Sequence, residues 1–217
     1  MRNVTSIFLS ISLLLALFCF KPAHGLKYDF ENRAQFDDWE VIDGDWKIAD
    51  GQLNGKQGAK YVGIVLPESE KWTDFTVKAD VTRSSGTYTY FVVRFSKAEP
   101  LTTYLVEVTT ENLKVWKEDA GAGANLSSNP LPDAAKWLGT LHKFQIDVKK
   151  DQIDVYIDGK KSASVNDKTF SKGKFGLGGY NSENLFDNLE FTGPGIFQAV
   201  KPTGKLSTTW ANIKRQF

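Results

Sequence analysis

Cysteine, surplus charge, long apolar runs and helical periodicity are all scarce in this chain, and each scarcity removes a class of answer. One cysteine, Cys19, occurs in 217 residues, so no disulfide framework and no cysteine metal site holds the fold. Lys and Arg number 27 against 26 Asp and Glu, which leaves none of the basic excess that a nucleic-acid binder carries. The one long apolar run, Ile7 to Phe20, is broken by Lys21-Pro22 and falls short of the roughly 20 residues a helix needs to cross a bilayer. No nucleic-acid partner and no stable membrane insertion are expected. Helical spacing is nearly missing before residue 200, which disfavours an α-helical core.

The start of the chain has its own character. Arg2, the apolar run and the small-x-small site Ala23-His24-Gly25 read together as a cleaved signal peptide over residues 1–25. The mature chain then begins near Leu26, secreted or periplasmic, and its formal charge moves from +1 to −1 as Arg2 and Lys21 leave. Attachment of a lipid at Cys19 is disfavoured by the bulky Phe18 before it. The 192 residues that remain suit one domain, taken as 26–195, followed by a tail over 196–217.

What the chain does have is period-two alternation, with Gly, Asn, Asp and Ser between the runs. Phe75, Val77, Ala79 and Val81 alternate with Thr76, Lys78, Asp80 and Thr82, so one side of that strand enters a core while the other meets solvent. Phe144, Ile146 and Val148 repeat the pattern, as do Ile153, Val155 and Ile157, after which Asp158-Gly159 supplies a tight hairpin turn before Lys160 to Val165 returns. Further strands are expected at Lys27–Glu31, Trp39–Ile42, Trp46–Ala49, Lys60–Leu66, Tyr88–Ser96, Thr102–Thr109, Leu113–Lys117, Gly173–Gly178 and Leu185–Phe191. So many short strands favour an all-β, two-sheet antiparallel β-sandwich over one open sheet with long exposed edges. The stretch Glu118–Thr140, rich in Ala, Gly, Asn, Ser and Pro, reads as irregular, either a binding loop or a surface connection. After Pro194-Gly195, Leu206, Trp210, Ile213 and Phe217 fall near helical spacing. A short C-terminal helix packed on the sandwich is expected there, in preference to one that touches a membrane or partner.

Alternation also sorts side chains into faces. Phe91, Val93 and Phe95 are assigned inward, and Tyr90, Val92 and Arg94 outward. On the following strands Leu105 and Glu107 share that outer face with Lys114, Trp116 and Glu118. If these strands are neighbours in a sheet, Arg94, Glu107 and Trp116 meet as a polar-aromatic patch. Such a patch suits a carbohydrate ligand, because an aromatic ring covers the C–H face of a pyranose while charged groups bond its hydroxyls. The same residues also fit a cross-strand Arg94–Glu107 ion pair beside a half-buried Trp116, a pair contributing about 0 to 1 kcal/mol. Tyr180 and Asn181, with Ser182 and Asn184, precede the last strand and either add contacts at a sandwich end or simply shape a turn.

Two runs carry a resemblance. Tyr28-Asp29-Phe30-Glu31, followed by Trp39 and by Gly44-Asp45-Trp46-Lys47-Ile48-Ala49-Asp50-Gly51-Gln52-Leu53, resembles the opening of concanavalin A-like (laminin G-like) jelly rolls. The 3-keto-disaccharide hydrolase domains of secreted bacterial proteins are especially similar. Gly173-Lys174-Phe175-Gly176-Leu177 and Phe186-Asp187-Asn188-Leu189-Glu190-Phe191 are similar to the closing strands of that superfamily, and the Asp158-Gly159 hairpin fits between. The resemblance implies a jelly roll, in a superfamily that holds lectins, carbohydrate-binding modules, glycosidases and protein-binding domains, and a fold does not fix a site. Reversible glycan binding is the leading expectation; hydrolysis of a glycoside or 3-keto-disaccharide and extracellular protein interaction are the alternatives. The resemblance also implies a structural calcium ion between a first-strand and a last-strand carboxylate, positions filled here by Glu31 and Asp187, and oxygen donors suit that hard cation.

Catalytic signatures are thin. Glycoside hydrolysis usually takes two carboxyl groups across the scissile bond, and the Glu-x-Asp-x-x-Glu strand of laminarinase-type jelly rolls is missing, since Glu107 is followed by Val108 and Thr109. For an enzyme, Glu107 or Asp80 is the general acid-base candidate and Arg94 the substrate anchor. His142, the one histidine left after cleavage, has no nucleophile motif beside it and reads as an ordinary strand residue. Asn125-Leu126-Ser127 is formally a glycosylation sequon. Gly176-Leu177-Gly178-Gly179 has no following helix, which disfavours a phosphate-cradling loop.

Overall fold

Alternating side chains and short turns leave this chain few options besides sheet, and the computed structural model, which describes residues 25–131 and 136–197, is built almost wholly from strands. In chain order these are β1 (Leu26–Tyr28), β2 (Glu40–Val41), β3 (Asp45–Ala49), β4 (Gln52–Gln57), β5 (Ile64–Leu66), β6 (Phe75–Ser85), β7 (Thr89–Lys97) and β8 (Thr102–Val108). They continue as β9 (Asn112–Asp119), β10 (Ala122–Pro130), β11 (Leu141–Lys149), β12 (Gln152–Ile157), β13 (Lys160–Asn166), β14 (Lys174–Gly178) and β15 (Ser182–Thr192). Short 3-10 turns at Arg33–Asp38 and Pro67–Lys71 interrupt them. An eight-stranded sheet runs β13-β12-β11-β6-β15-β4-β3, with β1 beside the far half of β15, and a seven-stranded sheet runs β10-β9-β8-β7-β14-β5-β2. The expected two-sheet antiparallel sandwich is the observed fold.

The inner faces supply the core. Phe144, Ile146 and Val148 of β11 lie opposite Ala79, Val77 and Phe75 of β6, so two alternating strands present one continuous apolar surface. Phe91 of the facing sheet reaches Phe144 and Phe186 with ring centroids 4.9 and 6.2 Å apart, and Phe175 meets Phe191 at 4.9 Å. Such interlocked rings add to the hydrophobic gain of burial. The β12–β13 hairpin closes as expected: Ile157 pairs with Lys160, and Asp158 and Gly159 both take positive φ, 50° and 78°.

Three expectations about elements need correction. The stretch read as irregular, Glu118–Thr140, contains the nine residues of β10, paired along its length with β9. Its Ala-Gly-Asn-Ser composition lacks any strand period, and the ladder offered by β9 organises it instead. Strand β4 was not expected, because Gly55 and the polar run around Leu53 hide its alternation. The strand expected at Lys60–Leu66 starts only at Ile64, and residues 58–63 form a loop fixed by Gly63, whose N–H bonds Leu177 O while its carbonyl accepts from Ile42 and Asp43. The leader read over 1–25 falls, apart from Gly25, outside the described residues, as does the helix expected over 205–217. Ile196, just beyond β15, is 2% exposed in the core.

Candidate functional site

The two sheets differ on their outer sides. Along β6 buried and less buried residues alternate, whereas in β7 the run Thr89 to Phe95 is buried throughout. The seven-stranded sheet is therefore covered on both faces. Its outer cover is a second apolar cluster of Val62, Val65, Tyr90, Val92, Phe95 and Leu105, against which Tyr88, Trp116 and Tyr180 pack.

Register places the polar and aromatic residues in rows across this face. Tyr90 of β7 lies opposite Glu107 of β8, which lies opposite Lys114 of β9. In the next row Val92, Leu105 and Trp116 are aligned, and beyond it Thr103 faces Glu118. Tyr90 Oη donates to Glu107 Oε2 at 2.8 Å, and Lys114 Nζ stands 3.5 Å from Glu107 Oε1. Glu107 is only 8% exposed, so these partners offset a carboxylate that would otherwise be costly to bury. Burial first, and the Glu107 charge second, push the Tyr90 hydroxyl far above its ordinary range.

Loops raise walls around this floor. Tyr61, Tyr88 and Tyr180 join Tyr90 in a closed ring of contacts: Tyr61 to Tyr90 at 5.5 Å, Tyr90 to Tyr88 at 5.9 Å, Tyr88 to Tyr180 at 5.8 Å and Tyr180 to Tyr61 at 5.7 Å. Backbone anchors hold the loops in place. Ser182 Oγ accepts from Thr87 N and Tyr88 N at 3.0 and 2.9 Å, and Asn184 Nδ2 donates to Tyr88 O at 3.1 Å. Asn181 N donates to Gly58 O at 2.7 Å, which ties the Tyr180 turn to the loop that bears Tyr61. The result is a depression of about 400 Å³ lined by the four tyrosines, Leu105, Glu107, Trp116 and Glu118. Burial raises the Glu118 carboxyl above its ordinary value. The Tyr61 hydroxyl is raised first by burial and then by the charge of Glu118. Trp116 Nε1 is buried without a hydrogen-bond partner among the described residues.

Of the residues expected here, Tyr90, Glu107, Trp116 and Tyr180 do line the depression, with Lys114 at its rim. Arg94 does not. It takes φ 57° at a bulge where the β7 register slips against both neighbours, and one extra residue turns the side chains beyond it to the opposite face. Phe95, expected inward, accordingly joins the outer cluster. Arg94 is 1% exposed and donates to three carbonyls, Phe170 O at 2.7 Å, Thr73 O at 2.9 Å and Lys150 O at 2.5 Å. It is a structural clamp, and the expected Arg94–Glu107 ion pair does not form. Asn181 sits in a left-handed turn at φ 47° and contributes its backbone rather than lining the depression. Tyr61 and Tyr88 are not among the expected site residues: each begins or sits in a stretch read as strand, Lys60–Leu66 and Tyr88–Ser96, whereas the structure sets both in loops, whose sequence signal is an aromatic beside turn residues, Gly58 to Gly63 and Ser84 to Thr87.

Asp80 belongs to the eight-stranded sheet, where Lys143 Nζ reaches its Oδ1 at 3.0 Å and Asn188 Nδ2 its Oδ2 at 3.1 Å. It shares no face with Glu107. Asp187 lies opposite Asp80 in the ladder, and its carboxyl is raised first by burial, then by the charges of Asp80, Glu31 and Asp29. Asn188 N donates to Asp187 Oδ1 at 2.6 Å, which partly offsets that rise, and carboxylate oxygens are the donors a hard cation favours. No group of three or more His, Cys, Asp or Glu side chains gathers to hold a metal among the described residues. His142 has a structural place: its ring stacks on Trp137 at 4.0 Å and its Nδ1 lies 2.8 Å from Asp158 Oδ2.

Comparison with known proteins agrees with this architecture. The family model of the 3-keto-alpha-glucoside-1,2-lyase-like domain matches residues 28–192. Levanase of Bacillus subtilis (strain 168) is 25% identical over 156 residues, which cover 70% of this chain and 22% of the levanase. Among solved structures, the carbohydrate binding module CBM66 from Bacillus subtilis superposes with a TM-score of 0.62 at 21% identity, over 72% of this chain and 96% of the module. A Bacillus licheniformis beta-glucanase superposes with a TM-score of 0.54 at 12% identity, over 80% of this chain and 100% of that one. These last two likenesses are likenesses of fold.

Proposed function

The chain belongs to the 3-keto-alpha-glucoside-1,2-lyase-like domain family, and on that footing we propose that it binds a carbohydrate reversibly in the aromatic depression of the seven-stranded sheet. The observation that carries this reading is the closed ring of four tyrosines above a floor of Trp116 and Glu107. Aromatic rings cover the C–H faces of a sugar, and the carboxylates and Lys114 supply directional bonds to its hydroxyls. The relatives point to the same ligand class, one being a levanase and one a carbohydrate binding module. The leader read over residues 1–25 supports a location outside the cytoplasm, secreted or periplasmic, where glycans are met. A glycan array followed by calorimetry, with levan oligosaccharides as the first soluble ligands, tests the reading. Saturable binding is expected; no binding to any glycan overturns it.

Cleavage is a second reading, favoured by one observation: Glu107 and Glu118 line the same depression. Two carboxyl groups flanking a glycosidic bond are the usual requirement for hydrolysis. Glu118, raised by burial, is the proton donor of such a pair, and Glu107, bonded by Tyr90, is its counterpart. Turnover of a 3-keto-glycoside by the natural chain, lost in Glu118→Gln, establishes this reading; binding without turnover leaves the domain a binding module.

Calcium forms a separate part of the proposal. Glu31 and Asp187 would hold the ion, which would offset the carboxylate repulsion that, after burial, raises the Asp187 carboxyl. Addition of calcium to chelator-treated protein is expected to raise the melting temperature, and Asp187→Asn to remove that rise. An unchanged melting temperature contradicts it.

A further inference from the structure

Lys114, Trp116 and Glu118 stand in line on the outer face of β9, at alternate positions of one strand. The Trp116 row therefore has a carboxylate row on each side, and the two carboxylates are treated differently. Glu107 is answered by the chain's own ammonium, Lys114 Nζ, 3.5 Å from Oε1 and 5.8 Å from the centre of the Trp116 ring. That corner shows how a cation sits here, against a ring and beside a carboxylate. Glu118 has no ion-pair or hydrogen-bond partner among the described residues, and burial alone raises its carboxyl. Gly123, opposite it in the ladder, leaves it room: an added Cβ would stand 2.9 Å from Glu118 Oε1. Among the described residues no Lys, Arg or His lines the depression, Lys114 standing at its rim on the Glu107 side. Its charged lining is two carboxylates and its walls are five electron-rich rings.

Resting on the carbohydrate reading of this site, we infer that its ligand is a sugar bearing a protonated primary amine, with the ammonium beside Glu118 and the ring against Trp116. Electron-rich rings attract a cation through their quadrupole and a desolvated carboxylate attracts it by charge, and both effects grow as water is excluded. Each effect reverses for a uronic acid or a sulfated sugar, which the site rejects.

Calorimetry on the full chain tests the inference with three disaccharide probes at about pH 6, where a primary amine is protonated. The probes are a glucosamine dimer, the N-acetylglucosamine dimer and a neutral glucose dimer. The glucosamine dimer is expected to bind at least about fivefold more tightly than the other two, with the margin shrinking as salt is added. In Glu118→Gln, shown to be folded by its melting curve, the margin between the glucosamine dimer and the neutral dimer falls below about twofold, whatever the affinity that both lose. Equal affinities for amine and acetamide, or a margin that survives Glu118→Gln, overturn the inference. If a neutral sugar still binds in that case, the carbohydrate reading stands alone; if no glycan binds, both fall.

Discussion

The outer faces of the two sheets use similar side chains to opposite ends. On the eight-stranded sheet, Asp154 accepts from Lys161, Ser164 and Gln152, Asp147 from Thr76 and Gln145, and Asp80 from Lys143 and Asn188. Every one of these carboxylates is already answered from its own sheet. On the seven-stranded sheet, Glu118 and the Trp116 N–H have no partner among the described residues, beside a ring of tyrosines. A satisfied polar ladder is a solvated surface. An unsatisfied one under aromatic walls is stability forgone, which the proposed ligand would restore.

The comparison is broken most forcefully through Arg94, which belongs to neither outer face. Arg94→Ala strands three carbonyls that the guanidinium now bonds, and each orphaned buried group costs about 1 to 3 kcal/mol. Chemical denaturation is expected to show a loss of about 3 kcal/mol or more. Glycan affinity in the folded fraction stays the same, whereas a residue on the binding face would lose both.

Next in size is the contrast of two aromatic residues. Trp116→Ala should weaken glycan binding at least tenfold, about 1.4 kcal/mol, while Tyr156→Ala on the eight-stranded sheet leaves it unchanged. A reversed pattern in calorimetry would move the site to the other face.

The smallest effect compares two carboxylates by pH. Burial would raise the Asp154 carboxyl, but bonds from Lys161, Ser164 and Gln152 outweigh it and hold the group below its ordinary value. Asp154 thus contributes stability above the unfolded value of about 3.9 that is lost as pH falls through the folded one. Glu118 is raised, so its ionisation costs stability at neutral pH, and that cost fades as pH falls through the folded value toward the unfolded one of about 4.3. Asp154→Asn should therefore lower the melting temperature at pH 7 and Glu118→Gln should raise it slightly. The Glu118 difference should close by about pH 4, and the Asp154 difference only at lower pH, as the folded carboxyl itself protonates. Shifts of the same sign would dissolve the distinction.

Where local chemistry and tertiary context agree, the sequence is a good guide. The Asp158-Gly159 hairpin and the alternating pair β6 and β11 follow from turn chemistry and period two, and the rows Tyr90–Glu107–Lys114 and Leu105–Trp116 follow once neighbouring strands pair. Arg94 shows where that logic breaks, because one bulged residue inverts the faces beyond it and nothing in Val92-Val93-Arg94-Phe95 announces the slip. β10 is a strand by courtesy of β9. Tyr61 and Tyr88 reach the site from loops whose positions depend on Ser182, Asn184 and the Asn181–Gly58 bond, contacts more than 90 residues apart in the chain. Half the walls of the site are tertiary in origin, and periodicity cannot carry them.

If the ligand lies on the outer face of the seven-stranded sheet, amide and indole chemical shifts report it residue by residue during a titration with a binding glycan. The Trp116 indole N–H, buried and unbonded in the free protein, is predicted to move most, together with the amides of Tyr61, Tyr88, Glu118 and Tyr180. Shifts confined to Gln145, Asp154, Tyr156 and Lys161, with the Trp116 indole unmoved, would contradict the account.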